Sequence, residues 1–493
     1  MKLNTLLSNI KNQVISINPC NFSNIDIKGL SLNSKLVKKG YLFFCLAGSR
    51  YNGLDFINEA YSNGAHAVMV EDNIKIKLPK DSVVISVKDI TGCLGFLANK
   101  FYDYPIDRLN MTAVTGTNGK TTITFMIENI LNTASKQAGV IGTINYRFGR
   151  SVFDAKNTTP DILTIHSFMN QMLQNKIKYL VMEVSSHALA QRRIEGLKFD
   201  QAIFTNLSQD HFDYHKTKKN YFAAKSLLFT DYLKKEGAAI INVDDSYGLK
   251  LIDLIKKNKK SKILTYGIRK KSDVCAKNIL LTQGGCRFTV KAPGHKFEVK
   301  TRLIGQFNIY NALASISACL ALGILEKYII KGLEEVYAPG RLERVDCSDI
   351  NIFVDYAHTE DALRNVLSSL NKLKGRGRLI LVFGCGGDRD KDKRPKMGKV
   401  ASELADFVII TSDNPRSEDP EEIISDIKAG ISKTNHIASV DRKEAIKKAI
   451  DMAGSQDIII VAGKGHEDYQ IVKDKKFNFS DRAVIENILS QRG

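Results

Sequence analysis

The chain has 493 residues, 43% of them hydrophobic and 25% charged, with 72 Lys and Arg against 53 Asp and Glu and a net charge of +19. That length exceeds one ordinary core and predicts several domains, at roughly 100–200 residues each. No apolar run reaches the roughly 18–20 residues that span a bilayer, the N-terminus lacks a signal-peptide pattern, and the scattered lysines lack the interleaved aromatics of a nucleic-acid platform.

The stretch MKLNTLLSNIKNQVISINPC reads as an amphipathic first helix. Short strands follow at 41–46, 67–70 and 83–87, with helical stretches between them, and define a small α/β domain over 1–107. From 108 to 338, apolar strands at 111–114, 179–182, 202–204 and 238–243 alternate with helical stretches. That alternation predicts a mostly parallel sheet with helices on both faces. Residues 274–304 instead predict short antiparallel strands, with turns at Gly284-Gly285 and Pro293-Gly294. A third, Rossmann-like α/β domain is predicted over 339–493, with strands at 350–354, 379–383, 407–411 and 457–461. The eight cysteines are scattered and form no CxxC pair. Buried thiols in a reducing compartment, the cytoplasm, are expected, without a disulfide framework or zinc site.

The strands of both larger regions run into polar, often glycine-containing segments: GTNGKTT, EVSSH, TNLSQDH, DYAHTED, FGCGGDRD, SDNPR and AGKGHED. Ligands bind open α/β sheets beyond the carboxyl ends of their strands. The segment MTAVTGTNGKTTITFMIENIL is a strand, a glycine turn and a helix. Backbone N–H groups of Gly116, Thr117, Asn118 and Gly119 can face phosphate oxygens at the helix N-terminus. Lys120 can neutralise the β- and γ-phosphates of ATP, and the hydroxyl of Thr121 or Thr122 can ligate Mg²⁺. The strict GxxxxGK[ST] pattern fails, because Val114 stands where its first glycine belongs.

The tighter loop TGTNGKTT resembles that of the Mur ligases. The resemblance runs the length of the chain through SLNSK, AGSRYNG, NTTPD, EVSSHAL, TNLSQDHFDYH, YFAAKSLLF, GQFNIYNALAS, PGRLERVD, DYAHTEDAL, FGCGGDRDKDKRP, TSDNPR and AGKGHEDYQ. It implies ATP-dependent joining of a carboxylate to an amine through an acyl-phosphate, the carboxylate being that of UDP-MurNAc-L-Ala-D-Glu. It implies Glu183, at a strand end, and His211 as magnesium ligands beside Thr121. It also implies that Lys225, which composition alone reads as a surface lysine, is carbamylated to complete that set. Asn308, Asn311, Arg341 and Asp355 match nucleotide contacts. Leu32, Ser34, Ser49, Arg50 and Tyr51 match uridine contacts, although Asn33-Ser34-Lys35 departs from the family's Asp-Ser-Arg. Asn157, Thr158, Thr159, Ser185, Gln191 and Arg193 match contacts to the muramoyl-dipeptide.

The incoming amino acid is expected in the third domain. Arg389, Asp413, Asn414, Pro415, Arg416, Gly463 and Glu467 match its contacts. Arg416 in DNPR favours meso-diaminopimelate over lysine, since the extra distal carboxylate calls for an added cation. The expected partners are these small molecules, with a monomeric chain and no nucleic acid. The alternatives are a lysine-adding ligase, folylpolyglutamate synthesis, a nucleic-acid-stimulated NTPase motivated by the charge and the loop, and a non-catalytic binding protein.

Overall fold

The computed structural model describes residues 1–18, 24–48, 51–71, 82–258, 261–345 and 350–491, and the account below concerns these. Two of the expected uridine contacts, Ser49 and Arg50, lie outside them. Among the described residues the strands form sheets of five, eleven, six and two. The chain divides into two compact units, one of 1–113, 136–201 and 227–237, the other of 114–135, 202–226 and 238–493.

In the first unit, the five-stranded sheet runs Val14–Asn18, Val84–Val87, Ala65–Glu71, Tyr41–Phe44 and Gly29–Ser31. Only Val14–Asn18 is antiparallel to its neighbour. The run from Ala67 to Val70 is buried throughout, as a parallel strand covered on both faces must be. The expected first helix is shorter than the sequence suggests. It spans Leu3–Leu7 and a following turn, and Val14–Asn18 is a strand. Two isoleucines and a valine within those five residues favour the extended chain once Val84–Val87 offers a partner. Farther along this unit, Tyr179–Glu183 pairs in parallel with Ala138–Ile141. Antiparallel strands Asn145–Phe148 and Ser151–Asp154, absent from the sequence reading, extend from it. Helix Ile162–Gln174 starts at Asp161, whose carboxylate accepts from the N–H groups of Leu163 and Thr164 at 3.0 Å.

In the second unit, Ala238–Asn242 pairs in parallel with residues 262–266. The predicted antiparallel strands stand at Val274–Thr282, Gly285–Ala292 and His295–Thr301. The six-stranded sheet runs Glu343–Val345, Asn351–Asp355, Ile458–Ala462, Leu379–Phe383, Phe407–Ile410 and His436–Ala438. Every pair but the first is parallel. Leu379–Phe383 and Ile458–Ala462 are buried at every position, which explains why their unbroken apolar sequences are so readily recognised as strands. The segments leaving the carboxyl ends of these strands are DYAHTED, GCGGDRD, SDNPR and GKGHED. Cys45, Cys93, Cys286, Cys319 and Cys385 are buried free thiols, and no helix among the described residues is long and apolar enough to cross a membrane.

Candidate active site

Strand Asn110–Thr115 delivers the chain to the phosphate loop and helix Lys120–Thr133 leaves it. The loop is pinned by bonds from within the chain. The Thr117 and Asn118 N–H groups donate to Asn206, to its carbonyl at 2.9 Å and its side chain at 3.0 Å. The Thr205 hydroxyl donates to the Asn118 carbonyl at 2.6 Å. Gly116 and Gly119 have φ of 146° and 90°. A Cβ at Gly119 would stand 2.4 Å from Asn311 Oδ1, so the loop backbone needs glycine both for its turn and for this approach. Asn311 donates to Asn308 Oδ1 at 2.9 Å, and Asn308 donates to the Ile304 carbonyl at 2.8 Å. Both amides are buried, and the pair buttresses the loop.

Lys120 Nζ donates to the carbonyls of Gly116 and Thr117 at 2.9 Å. Lys225 Nζ donates to the same Gly116 oxygen at 2.9 Å and lies 4.5 Å from the Tyr221 ring centroid. Lys225 is 2% exposed, which corrects its reading as a surface lysine. Burial, and then the charge of Lys120, push its pKa well below the usual lysine range, against a smaller pull from Asp210. A larger neutral-amine fraction follows, and that is the nucleophile that CO₂ requires. His211 begins a short helical turn with a left-handed φ of 56° and lies 3.3 Å from Asp210. Burial opposes the charge of Asp210, but His211, His358, Lys393 and Lys120 outweigh it and hold that carboxyl below its ordinary range. Arg341 donates to the Thr121 hydroxyl at 3.2 Å and stacks 4.5 Å from the Tyr356 ring. Asp355 accepts from the N–H groups of Leu342 at 2.6 Å and Ala357 at 2.7 Å, while burial raises its pKa to about 6. One contact here has no signal in the sequence: the Asn118 side chain donates to Asp361 at 2.7 Å.

Within the first unit, Glu183 is 1% exposed. Its two oxygens accept from the Thr143 N–H at 2.8 Å and hydroxyl at 3.0 Å. Thr143 in turn meets the Thr158 hydroxyl at 3.1 Å. Thr159 donates to the Glu183 carbonyl at 2.9 Å and accepts from the Ser185 N–H at 3.0 Å. Arg193 donates to the Thr159 carbonyl at 3.3 Å and to Gln191 at 2.8 Å. Thus Thr158, Thr159, Ser185, Gln191 and Arg193 form one connected group with Glu183, and Asn157 is exposed beside it. In the five-stranded domain, Ser34 is buried and bonds to Glu59, Leu32 is half-buried, and Tyr51 is 71% exposed.

No cluster of three His, Cys, Asp or Glu able to hold a metal occurs among the described residues. Taken by themselves, the donor types are of the hard-oxygen kind that Mg²⁺ takes: the Thr121 hydroxyl, to which a carbamate on Lys225 would add, in the second unit, and the Glu183 carboxylate in the first.

The amino-acid residues gather at the carboxyl ends of the six-stranded sheet. Asp413, Asn414, Pro415 and Gly463 are buried, Arg416 is half-buried and Arg389 is exposed. Arg416 has a left-handed φ of 53° and donates to the Gly387 carbonyl at 2.6 Å. A Cβ on Gly386 would lie 3.0 Å from Arg416 and 3.8 Å from Arg389, so both arginines flank one glycine. Asn414 donates to Glu467 at 2.9 Å. Burial and the charge of Asp413 raise the Glu467 pKa against the pull of Lys464. Beneath these loops lie ion pairs that sequence reading missed. Arg394 is fully buried against Glu418 and Asp426 at 2.9 Å. Arg442 is fully buried against Asp481 at 2.7 Å and donates to the Ala462 carbonyl at 2.9 Å.

This arrangement is that of an α/β protein with a phosphate loop and polar clusters at the carboxyl ends of its strands. Family models match at 26–102 (Mur ligase family, catalytic domain), 114–319 (Mur ligase middle domain) and 340–465 (Mur ligase, glutamate ligase domain). The chain is 47% identical to the UDP-N-acetylmuramoyl-L-alanyl-D-glutamate–2,6-diaminopimelate ligase of Aquifex aeolicus, over 95% of this chain and 94% of that one. It is 42% identical to the ligase of the same name from Clostridium botulinum, over the full length of both. A solved structure of a ligase of that name matches with a TM-score of 0.70 and 32% identity, covering 96% of this chain and 97% of the other. The chain belongs to the Mur ligase family. It has that family's three-domain α/β fold and is an ATP-dependent, ADP-forming ligase.

Proposed function

We propose that the chain adds meso-2,6-diaminopimelate to the D-glutamate γ-carboxylate of UDP-N-acetylmuramoyl-L-alanyl-D-glutamate, a step in peptidoglycan precursor synthesis. The observation that carries this reading is full-length similarity to ligases of that name, joined to a carboxyl-end cluster that presents Arg416, Arg389 and Glu467. We divide the chain at 1–107 for the UDP-sugar, 108–338 for ATP and 339–493 for the amino acid, and place it as a cytoplasmic monomer.

The γ-carboxylate attacks the γ-phosphorus of ATP, ADP leaves, and an acyl-phosphate forms. The diaminopimelate amine then attacks the acyl carbon, loses a proton, and phosphate departs with the C–O bond electrons. The phosphate loop, Gly116–Thr122, and Lys120 bind the nucleotide phosphates and neutralise charge on the transferring group. Asn308 and Asn311 support the adenine side, and Arg341 and Asp355 complete the nucleotide site. Thr121, Glu183, His211 and a carbamate on Lys225 would hold Mg²⁺, which supplies Lewis-acid neutralisation of phosphate charge. The Asn157–Thr159 segment, Ser185, Gln191 and Arg193 orient the dipeptide, while Leu32, Ser34 and the 49–51 loop take the uridine end. In the third domain, the two arginines hold the carboxylates of the amino acid and Glu467 holds its distal ammonium.

The test is an ADP-release and product assay with the UDP-dipeptide. ADP should form only when an amino acid is present, and meso-diaminopimelate should turn over faster than L-lysine. Faster turnover with lysine would overturn the substrate assignment.

A further inference from the structure

Lys464 plays no part in the scheme above, yet it is completely buried. Its Nζ lies between Asn414 Oδ1 at 3.2 Å and Glu467 Oε2 at 3.3 Å. Asn414 also donates to Glu467 Oε2 at 2.9 Å and accepts from the Ile471 N–H at 2.9 Å. Both described bonds to Glu467 therefore engage one of its oxygens. A buried ammonium is costly unless its site is built for it, and here it stands against a carboxylate assigned to a substrate cation. We propose that Lys464 is a positioning residue: it holds Glu467 by one oxygen and in its charged form, leaving the other oxygen to take the distal ammonium of the incoming amino acid. This rests on the reading of Glu467 given above.

Electrostatics gives the clamp its purpose. Burial and Asp413 push the Glu467 carboxyl toward its neutral form, and Lys464 and Asn414 oppose them. Arg442, Tyr356 and Tyr469 also face Glu467 through charge. Without Lys464, Asp413 and burial act with less opposition. A protonated Glu467 cannot form an ion pair with an ammonium. The clamp is also dispensable for packing hydrogen bonds, because Asn414 Oδ1 keeps Ile471 and Glu467 Oε2 keeps Asn414.

The experiment compares meso-diaminopimelate with 2-aminopimelate, which keeps both carboxylates but lacks the distal amine. The wild-type enzyme should favour diaminopimelate in kcat/KM by roughly 10–100-fold, the range for a hydrogen bond to a charged group. Lys464→Met should erase most of that preference by raising KM for diaminopimelate, with KM for ATP unchanged. In that variant the KM should climb further as pH falls, since Glu467 takes up its proton. If Lys464→Met does not fold, Lys464→Gln keeps a donor without the charge and carries the same test. Equal losses on both amino acids, or an intact preference, would overturn the role of Lys464. Glu467→Gln separates the two claims. An intact preference there removes the ammonium assignment itself. Its collapse alongside an intact preference in the Lys464 variants removes only the clamp.

Discussion

Arg394→Met tests how firmly the amino-acid loops are held from below. The guanidinium is fully buried, makes two 2.9 Å bonds to Glu418 and one to Asp426, and reaches the Gly386 carbonyl at 3.3 Å. Methionine replaces most of the alkyl stem, so the loss is chiefly electrostatic. Arg394 is the foremost cause that lowers the Glu418 pKa from 4.5 to about 2. At about 1.36 kcal/mol per unit, the whole shift is worth about 3 kcal/mol, a sum that Arg394 shares with the Asp388 N–H and Lys391. Removing one partner of a buried pair costs about 3–5 kcal/mol. Lys391 still faces Glu418 at 3.2 Å, and Asp426 is 45% exposed and rehydrates. The expected loss is therefore about 3 kcal/mol, at the lower end of that range. The assay is urea unfolding of wild type, Arg394→Met, Glu418→Gln and the double variant at pH 7. The double variant should lose less than the sum of the singles by about 2 kcal/mol or more. Because the folded-state pKa of Glu418 is depressed, its contribution is full above pH 4.5 and shrinks as pH falls toward 2. Additive single losses would refute the reasoning. Glu418 also accepts from the Asp388 N–H at 2.5 Å, so KM for the amino acid should rise while KM for ATP holds.

Lys225→Ala should lower turnover by about 10²–10³-fold, with partial recovery on adding acetate as a detached carboxylate; a failure of acetate to restore any activity would count against a carbamate there. Asp355→Asn should alter the pH dependence of stability. Burial raises the Asp355 pKa to about 6, so the folded wild type binds its proton more tightly than the unfolded chain and loses up to about 3 kcal/mol as pH rises from about 4 to about 6. The variant should thus gain relative to wild type between pH 4.5 and pH 7 in urea midpoint, and an unchanged difference would contradict the burial argument. Gly463→Ala places a Cβ 2.5 Å from Asp413 Oδ2 at a φ of +116°, and should raise KM for diaminopimelate without changing KM for the UDP-dipeptide.

The parts of the fold visible in the sequence are those whose burial leaves a local pattern. Leu379–Phe383 is apolar at all five positions because both its faces are covered. The hairpin at Asn145–Phe148 and Ser151–Asp154 leaves a weaker trace, since only Tyr146 and Phe148 are buried. The phosphate loop was legible because its glycines, lysine and threonines are consecutive. Composition alone reads Lys225 as a surface residue, because the Gly116 carbonyl that it meets stands 109 positions earlier. Lys464 meets Asn414 across 50 positions, and Asp361 meets Asn118 across 243. Such pairings have no periodicity to read, and only the folded chain brings them together.

The single carbonyl oxygen of Gly116 accepts from both Lys120 and Lys225, and this makes their charges thermodynamically interdependent. Any event that changes the charge at one lysine changes the free energy of binding at the other, and reciprocity requires the same factor in both directions. If Lys225 carries the proposed carbamate, occupancy of the phosphate loop and the chemical state of Lys225 would form one cooperative equilibrium. A titration of nucleotide affinity against dissolved CO₂ would read out its coupling constant.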